Sequence, residues 1–220
     1  MLPERSTGLI LRTRPLTETS LIIHWLTPDL GRLATVAKGA RRPKSPFRGK
    51  LDLFYLAEFS FARSKRSDLH TLREVSLLET HAGLRRDLGC LEQAAYGSAL
   101  IEQSTETESP LPEVYQMFSS LLCELTQHPA QPQTVFAFEL KLLADLGLQP
   151  DVAETKLPEG TRLLLKKMAR SDWPAIFRLR LSETQTAEIR QFLHGYLIYH
   201  LERVPRNRSW ALDGASPICW

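Results

Sequence analysis

The sequence predicts an α+β chain in which a small five-stranded barrel is followed by an all-helical domain. Three observations lead there. Short β-patterned runs follow one another up to about residue 80 with no helical repeat between them. Near Thr80 the apolar period lengthens from two to about 3.6. Beyond it, apolar stripes at helical spacing are separated by proline and glycine.

Gly8 to Arg12 is apolar between polar flanks and Ser20 to Leu26 follows. Pro28-Asp29-Leu30-Gly31 then supplies a turn into Arg32 to Ala37, so these three runs form a meander. Leu53 to Phe61 alternates in part and is rich in aromatics, and Ser64-Lys65-Arg66-Ser67-Asp68 is a polar connection into His70 to Leu78. Five strands in about 75 residues without a helix predict a closed or nearly closed barrel of OB type, with a domain at residues 1–80.

A helical domain is expected over residues 81–205. Helices are predicted from Cys90 to Gln103 and from Pro112 to His128. In the second, Val114, Phe118, Leu121 and Leu125 make one stripe with Tyr115 and Leu122 beside it. Pro110 and Pro112 suit a first turn, while Pro129 and Pro132 punctuate the step to the next helix. Gln133 to Leu146 repeats the pattern with Val135, Phe138, Leu142 and Leu146, and Gly147 is placed to end it. Pro150, Pro158, Gly160 and Pro174 then break the chain, leaving a loop, a helix near Thr161 to Ala169 and a short one after Trp173. Glu183 to Leu201 is helical, with Ile189, Phe192, Leu193, Tyr196 and Leu197 on one side. The last stretch, including a tail at residues 206–220, reads as extended because of Pro205, Gly214 and Pro217.

Composition narrows the function. At 220 residues the chain can bury one sizeable core or two modest ones, and its net charge of +3 is slight. Three widely separated cysteines, Cys90, Cys123 and Cys219, point to a reducing cytoplasm and away from a disulfide framework. No cysteine pair has knuckle spacing, and His194 and His200 fall on different faces of a helix, so no metal site is expected. The first 20 residues carry Glu4, Arg5, Arg12 and Arg14 without a long apolar core, so neither a signal peptide nor a membrane span is expected.

The concentrated feature is local. From Lys38 to Lys50 there are six cations, Lys38, Arg41, Arg42, Lys44, Arg48 and Lys50, and no acid. Gly39, Pro43, Pro46 and Gly49 keep this stretch from becoming a helix. Adjacent cations attract phosphates without reading bases, and Phe47, Phe54 and Tyr55 would add rings on which a base can stack; the alternative is a solvated hairpin connection with a charged surface and Phe54 in the core. On a barrel, a basic groove makes DNA the expected ligand. Arg63, Lys65, Arg66 and Arg73 either widen the same face or, as is commoner for such a run, only make a soluble turn, and Arg203, Arg206 and Arg208 either meet phosphate or cap the last helix. Catalytic patterns are missing: there is no Gly-x-Ser-x-Gly elbow and no Walker-type Gly-Lys-Ser/Thr, and the spacing of Asp29, Asp52 and Glu58 gives no reason to gather them around magnesium. Cys90 and Cys123 lie on apolar stripes, where a buried, inert thiol is expected. No enzyme, cofactor or small-molecule substrate follows. The rival is a protein-interaction scaffold whose barrel docks an acidic partner instead of DNA.

Several blocks resemble, in order and spacing, the RecO family of bacterial DNA-repair proteins. They are Gly8-Leu9-Ile10-Leu11-Arg12, Glu18-Thr19-Ser20-Leu21, Thr27-Pro28-Asp29-Leu30-Gly31-Arg32 and Val36-Ala37-Lys38-Gly39-Ala40-Arg41-Arg42. Phe138-Glu139-Leu140 and Leu146-Gly147-Leu148-Gln149-Pro150-Asp151 resemble the family's helical domain. Val204-Pro205-Arg206-Asn207-Arg208-Ser209 is similar to a degraded form of its terminal segment. The resemblance implies a recombination mediator that binds single- and double-stranded DNA, anneals complementary strands, engages the C-terminal tail of single-strand-binding protein and loads recombinase with RecR. Lys38, Arg41 and Arg42 match the family's basic motif, whereas Lys44, Arg48 and Lys50 extend it by charge and proximity. Many members carry four cysteines after the Leu-Gly turn. Here Gln149 to Gly160 has none, so their structural zinc is not expected. The helix holding Phe138 has no cation just upstream to receive an acidic tail, so the tail-binding residues stay unassigned, with Lys166, Lys167 and Arg170 as candidate substitutes.

Overall fold

The computed structural model describes residues 3–213. Its strands are β1 (Glu4–Pro15), β2 (Leu21–Thr27), β3 (Gly31–Ala37), β4 (Leu56–Ala62) and β5 (Leu69–Glu79). They close into a barrel of order β1-β2-β3-β5-β4, in which the β3–β5 pair is parallel and every other pair antiparallel. This is an OB-fold barrel, as the strand pattern predicts. Closure depends on the length of β1. Its 12 residues pair with β4 from Glu4 to Leu9 and with β2 from Leu9 to Pro15. A register shift between Ile10 and Arg12 makes Leu11 the extra residue of a bulge, which bends the strand from one neighbour to the other. The seam that completes the ring is short: β3 meets β5 in three residue pairs, from Ala34–Leu69 to Val36–Thr71.

The barrel is filled by Ile10, Ile23, Trp25, Phe59, Phe61 and Leu72 among others. Trp25 stacks on Phe59 with centroids 4.1 Å apart, and its indole N–H donates to Thr35 Oγ1 at 2.8 Å, so the one polar atom of a buried ring is satisfied.

Among the described residues the chain divides into two compact units, 3–81 with 105–119, and 82–104 with 120–213. Residues 105–119 therefore group with the barrel although they fall within the stretch read as helical. The reason is a short backbone latch. Arg32 bridges in parallel to Thr107, Glu108 N–H donates to Arg32 O at 2.7 Å, and the Arg32 guanidinium donates to Thr105 Oγ1 at 2.7 Å. Gly31 sits at φ +68°, and a Cβ there would lie 2.0 Å from Ser109 O, so only glycine lets the latch close.

The helices are α1 (Leu88–Ser104), α2 (Pro112–Leu125), α3 (Pro132–Asp145), α4 (Glu159–Arg170), α5 (Trp173–Phe177), α6 (Glu183–Leu201) and α7 (Arg208–Asp213). Val114, Phe118, Leu121 and Leu125 are buried, as their stripe predicts. In the second unit α3 is central and packs against α1, α4, α5, α6 and α7. Consequently all of its residues from Gln133 to Leu140 are buried. Gly147, at φ +73°, ends it by donating its N–H to Ala144 O at 3.0 Å. The start of α6 is a full capping box between Ser182 and Gln185. No helix among the described residues is long and apolar enough to cross a membrane.

Two expectations are corrected. The extended tail is in part a helix, α7, which packs on α1 and α3. Its first residue, Arg208, is buried and forks onto the fully buried Glu139, with Nε to Oε1 at 2.6 Å and Nη2 to Oε2 at 2.9 Å. Tyr96 donates to the same Oε1 at 2.6 Å. Arg208 thus neither meets phosphate nor caps α6: it neutralises an acid in the core. The second correction is Cys123, which is exposed, whereas Cys90 is buried. One helical residue turns through about 100°, so Cys123 lies off the face that carries Leu121 and Leu125. Burial pushes the Cys90 thiol up to about 11. Cys219 and the part of the expected tail beyond Asp213 lie outside the described residues.

Candidate nucleic-acid interface

The basic loop is a chain of tight turns rather than an open excursion. Arg42 N–H donates to Gly39 O at 3.0 Å, Ser45 to Arg42 O at 3.0 Å, Arg48 to Ser45 O at 3.2 Å and Lys50 to Phe47 O at 3.1 Å. Gly39 and Gly49 take φ +70° and +73°, where a side chain would be strained. Arg41 N–H donates to Thr19 O at 3.0 Å and Gly39 N–H to Ser20 Oγ at 3.4 Å, tying the loop to the β1–β2 connection. Phe47 belongs to the barrel's apolar core, which pins the loop at a second point.

With the backbone so held, the charges are left outside. Lys38, Arg41, Arg42, Lys44 and Arg48 are exposed and Lys50 is half-buried. Arg48 Nη1 donates to Pro43 O at 3.4 Å and Lys50 Nζ to Val75 O on β5 at 3.1 Å. Lys38, Arg41, Arg42 and Lys44 have no side-chain hydrogen bond or ion pair with any described residue. Four uncompensated cations on one braced loop form a surface that a polyanion can approach without displacing a protein carboxylate.

The stacking platform expected beside them is corrected. Phe47 is 6 % exposed and Phe54 1 %, the latter edge-on to Phe118 with centroids 6.4 Å apart. Aromatic rings next to a basic run fill the core here, because a turn-built loop needs an apolar anchor more than an exposed ring. Tyr55 is half-buried. Arg63 also leaves the candidate surface. It holds Glu4 through Nε at 2.9 Å and Glu108 through Nη1 at 2.5 Å, and Glu108 in turn meets His70 Nε2 at 2.8 Å. The Arg63 hydrogen bond draws the Glu4 carboxyl below its usual range. Lys65, Arg66 and Arg73 are exposed.

A cleft of about 400 Å³ opens where the loop meets the sheet. Lys50 lines it together with Arg73 of β5 and Arg5 of β1, a residue that sequence inspection passes over. Its only sequence signal was its place near the start of β1. Pairing puts Arg5 opposite Ser60 and Ser60 opposite Glu74, so residues far apart in the chain share one row. In the helical unit a second cleft of about 310 Å³ is lined by Leu140, Ala144, Val152 and Leu165 with Lys166 and Arg170. Lys167 is exposed but does not line it. Among the described residues no three His, Cys, Asp or Glu side chains are grouped to hold a metal.

A closed OB barrel carrying a braced cationic loop, joined in sequence to an α3-centred helical unit, defines the class of protein at hand. The comparisons then place it. Residues 1–81 match the family model for the N-terminal part of recombination protein O, and residues 85–155 and 151–209 match the model for its C-terminal part. The chain belongs to the RecO family. Among similar curated proteins, all named DNA repair protein RecO, that of Rhodopirellula baltica is 33% identical over 65% of this chain and 53% of its own length. The Bacillus subtilis protein is 30% identical over 70% of this chain and 61% of its own length. The Idiomarina loihiensis protein is 38% identical over 64% and 59% respectively. The chain thus spans between half and two thirds of these relatives.

Proposed function

We propose that this chain is a non-catalytic recombination mediator of the cytoplasm. Its barrel binds single- and double-stranded DNA through Lys38, Arg41, Arg42 and Lys44, with Arg48 and Lys50 at the loop's far end. The observation that carries this reading is the absence of a carboxylate partner, among the described residues, for any of these six cations. Annealing two strands is opposed by the repulsion of their phosphates. A cationic surface that binds both lowers that barrier by charge neutralisation, with no bond made or broken. We extend the reading to the family's partners: RecR, with which the chain helps load recombinase, and the acidic C-terminal tail of single-strand-binding protein. The cleft beside α3 and α4 supports this reading because it joins apolar walls to Lys166 and Arg170, two cations against the one carboxylate of Asp151.

The test is annealing of complementary labelled oligonucleotides, bare and coated with single-strand-binding protein. The unaltered chain accelerates both reactions. Changing Lys38, Arg41 and Arg42 together to Ala slows both, and changing Lys166 and Arg170 to Ala slows only the coated one. If the triple variant anneals bare strands as fast as the unaltered chain, the loop has no part in the function and the scaffold reading replaces it.

A further inference from the structure

The basic loop accounts for attraction to any nucleic-acid backbone, but the cleft at its far end has a different chemistry. Its lining is not uniformly cationic. Arg5, Lys50 and Arg73 face it together with Glu58 and Glu74, and Glu74 already lies 3.9 Å from the Arg5 guanidinium. Exposed Pro46 of the loop supplies apolar lining between the charges, together with the small areas left open on Phe47 (6 % exposed), Phe59 (2 %) and Val75 (6 %).

A phosphate gains less here than on the acid-free loop, since two carboxylates of its own sign stand among the three cations. A nucleobase is well served. It has an apolar face for Pro46 and the apolar patch around it, and edges carrying both donors and acceptors for carboxylate and guanidinium. The volume of about 400 Å³ lies within the range of roughly 300–1,000 Å³ typical of sites that enclose small ligands. Lys50 belongs at once to the loop and to the cleft, so a strand following the cations of the loop is led to the opening.

We infer that this cleft seats one unstacked nucleobase, a contact open to a single strand and closed to a duplex. The inference rests on the reading of the barrel as a DNA binder and adds a source of strand selectivity to it. In a duplex the base faces are stacked and the edges paired, so entry requires extrusion of the nucleotide first. The loop by itself makes no such distinction, because phosphate contact is available on both forms.

Ser76 decides the matter. It lines the cleft, is exposed on β5 and pairs with Glu58, so Ser76→Trp blocks the space while leaving every charge in place. Fluorescence anisotropy with an oligodeoxycytidine and with a duplex of equal length gives the two affinities. The expected result is a loss of about tenfold, or ~1.4 kcal/mol, for the single strand, and no change for the duplex. A second readout uses the unaltered chain and stays informative if the tryptophan variant misfolds. A 2-aminopurine placed in the single strand brightens when it leaves its stack, so binding raises its emission at one position of the strand. Equal losses on both DNAs, no loss on either, or unchanged 2-aminopurine emission each overturn the inference. The Lys38, Arg41 and Arg42 triple variant separates this failure from that of the parent reading. It weakens both DNAs if the loop binds phosphate, and neither if the loop does not.

Discussion

The salt dependence of DNA binding can be worked from the loop before it is measured. Of its six cations, Arg48 and Lys50 are engaged by backbone carbonyls, whereas Lys38, Arg41, Arg42 and Lys44 make no side-chain hydrogen bond or ion pair with any described residue. Each phosphate neutralised on a single strand contributes about −0.7 to the slope of log affinity against log salt, so four contacts give about −2.8. Raising salt fourfold, from about 50 to about 200 mM, then weakens binding about 50-fold. In the triple variant Lys38→Ala, Arg41→Ala, Arg42→Ala only Lys44 of the four remains. Its slope is expected near −0.7, and the same salt step weakens it only about threefold. All three positions are exposed and their main-chain turns do not depend on the side chains, so the fold is expected to survive, which circular dichroism checks. Anisotropy titrations of a labelled single strand at several salt concentrations give both slopes. Equal slopes for the variant and the unaltered chain would refute the assignment of phosphate contacts to this loop.

Two further outcomes concern stability. Among the described residues Arg208→Ala leaves the buried Glu139 carboxylate with Tyr96 as its one side-chain donor, and removal of one partner from a buried pair costs about 3–5 kcal/mol. Denaturant unfolding that finds less than about 1 kcal/mol would mean the pair does not anchor α7. The barrel is also expected to lose stability in acid. The Arg63 hydrogen bond lowers Glu4 below its ordinary value of 4.5, and backbone N–H groups, His81 first and then Thr80, lower Glu79 likewise. A carboxyl depressed in the folded state stabilises that state above its unfolded value, and the benefit disappears as pH falls through the folded one. Glu4→Gln should therefore flatten the decline below about pH 4.5, and an acid limb of unchanged steepness in thermal melts would count against the Arg63 link.

Much of this architecture is written locally. The change from period two to period 3.6 near Thr80 separates strands from helices, because burial on a pleated sheet and on a helix face demands those two spacings. Gly39, Gly49 and Gly147 mark left-handed turns that a single residue type declares. The six-cation run is likewise visible as charge, and Gly and Pro exclude a helix there. Which of the surrounding residues stay available is another matter. Phe47 and Phe54 look like stacking rings in sequence and are core in the fold. Arg63 looks like part of the basic face, yet Glu108, 45 residues away, holds it. Arg208 looks like a tail cation and is buried against Glu139, 69 residues away. Arg5 enters the cleft only because β1 closes the ring onto β4.

Local pattern alone thus determined the strands, the helices other than α7 and the position of the loop, since each depends on spacing within a few residues. Tertiary structure decided the burial and pairing of individual charges and rings, and with them the outline of the cleft. A side chain's partner is set by where distant backbone comes to rest, and no window of neighbouring residues carries that information.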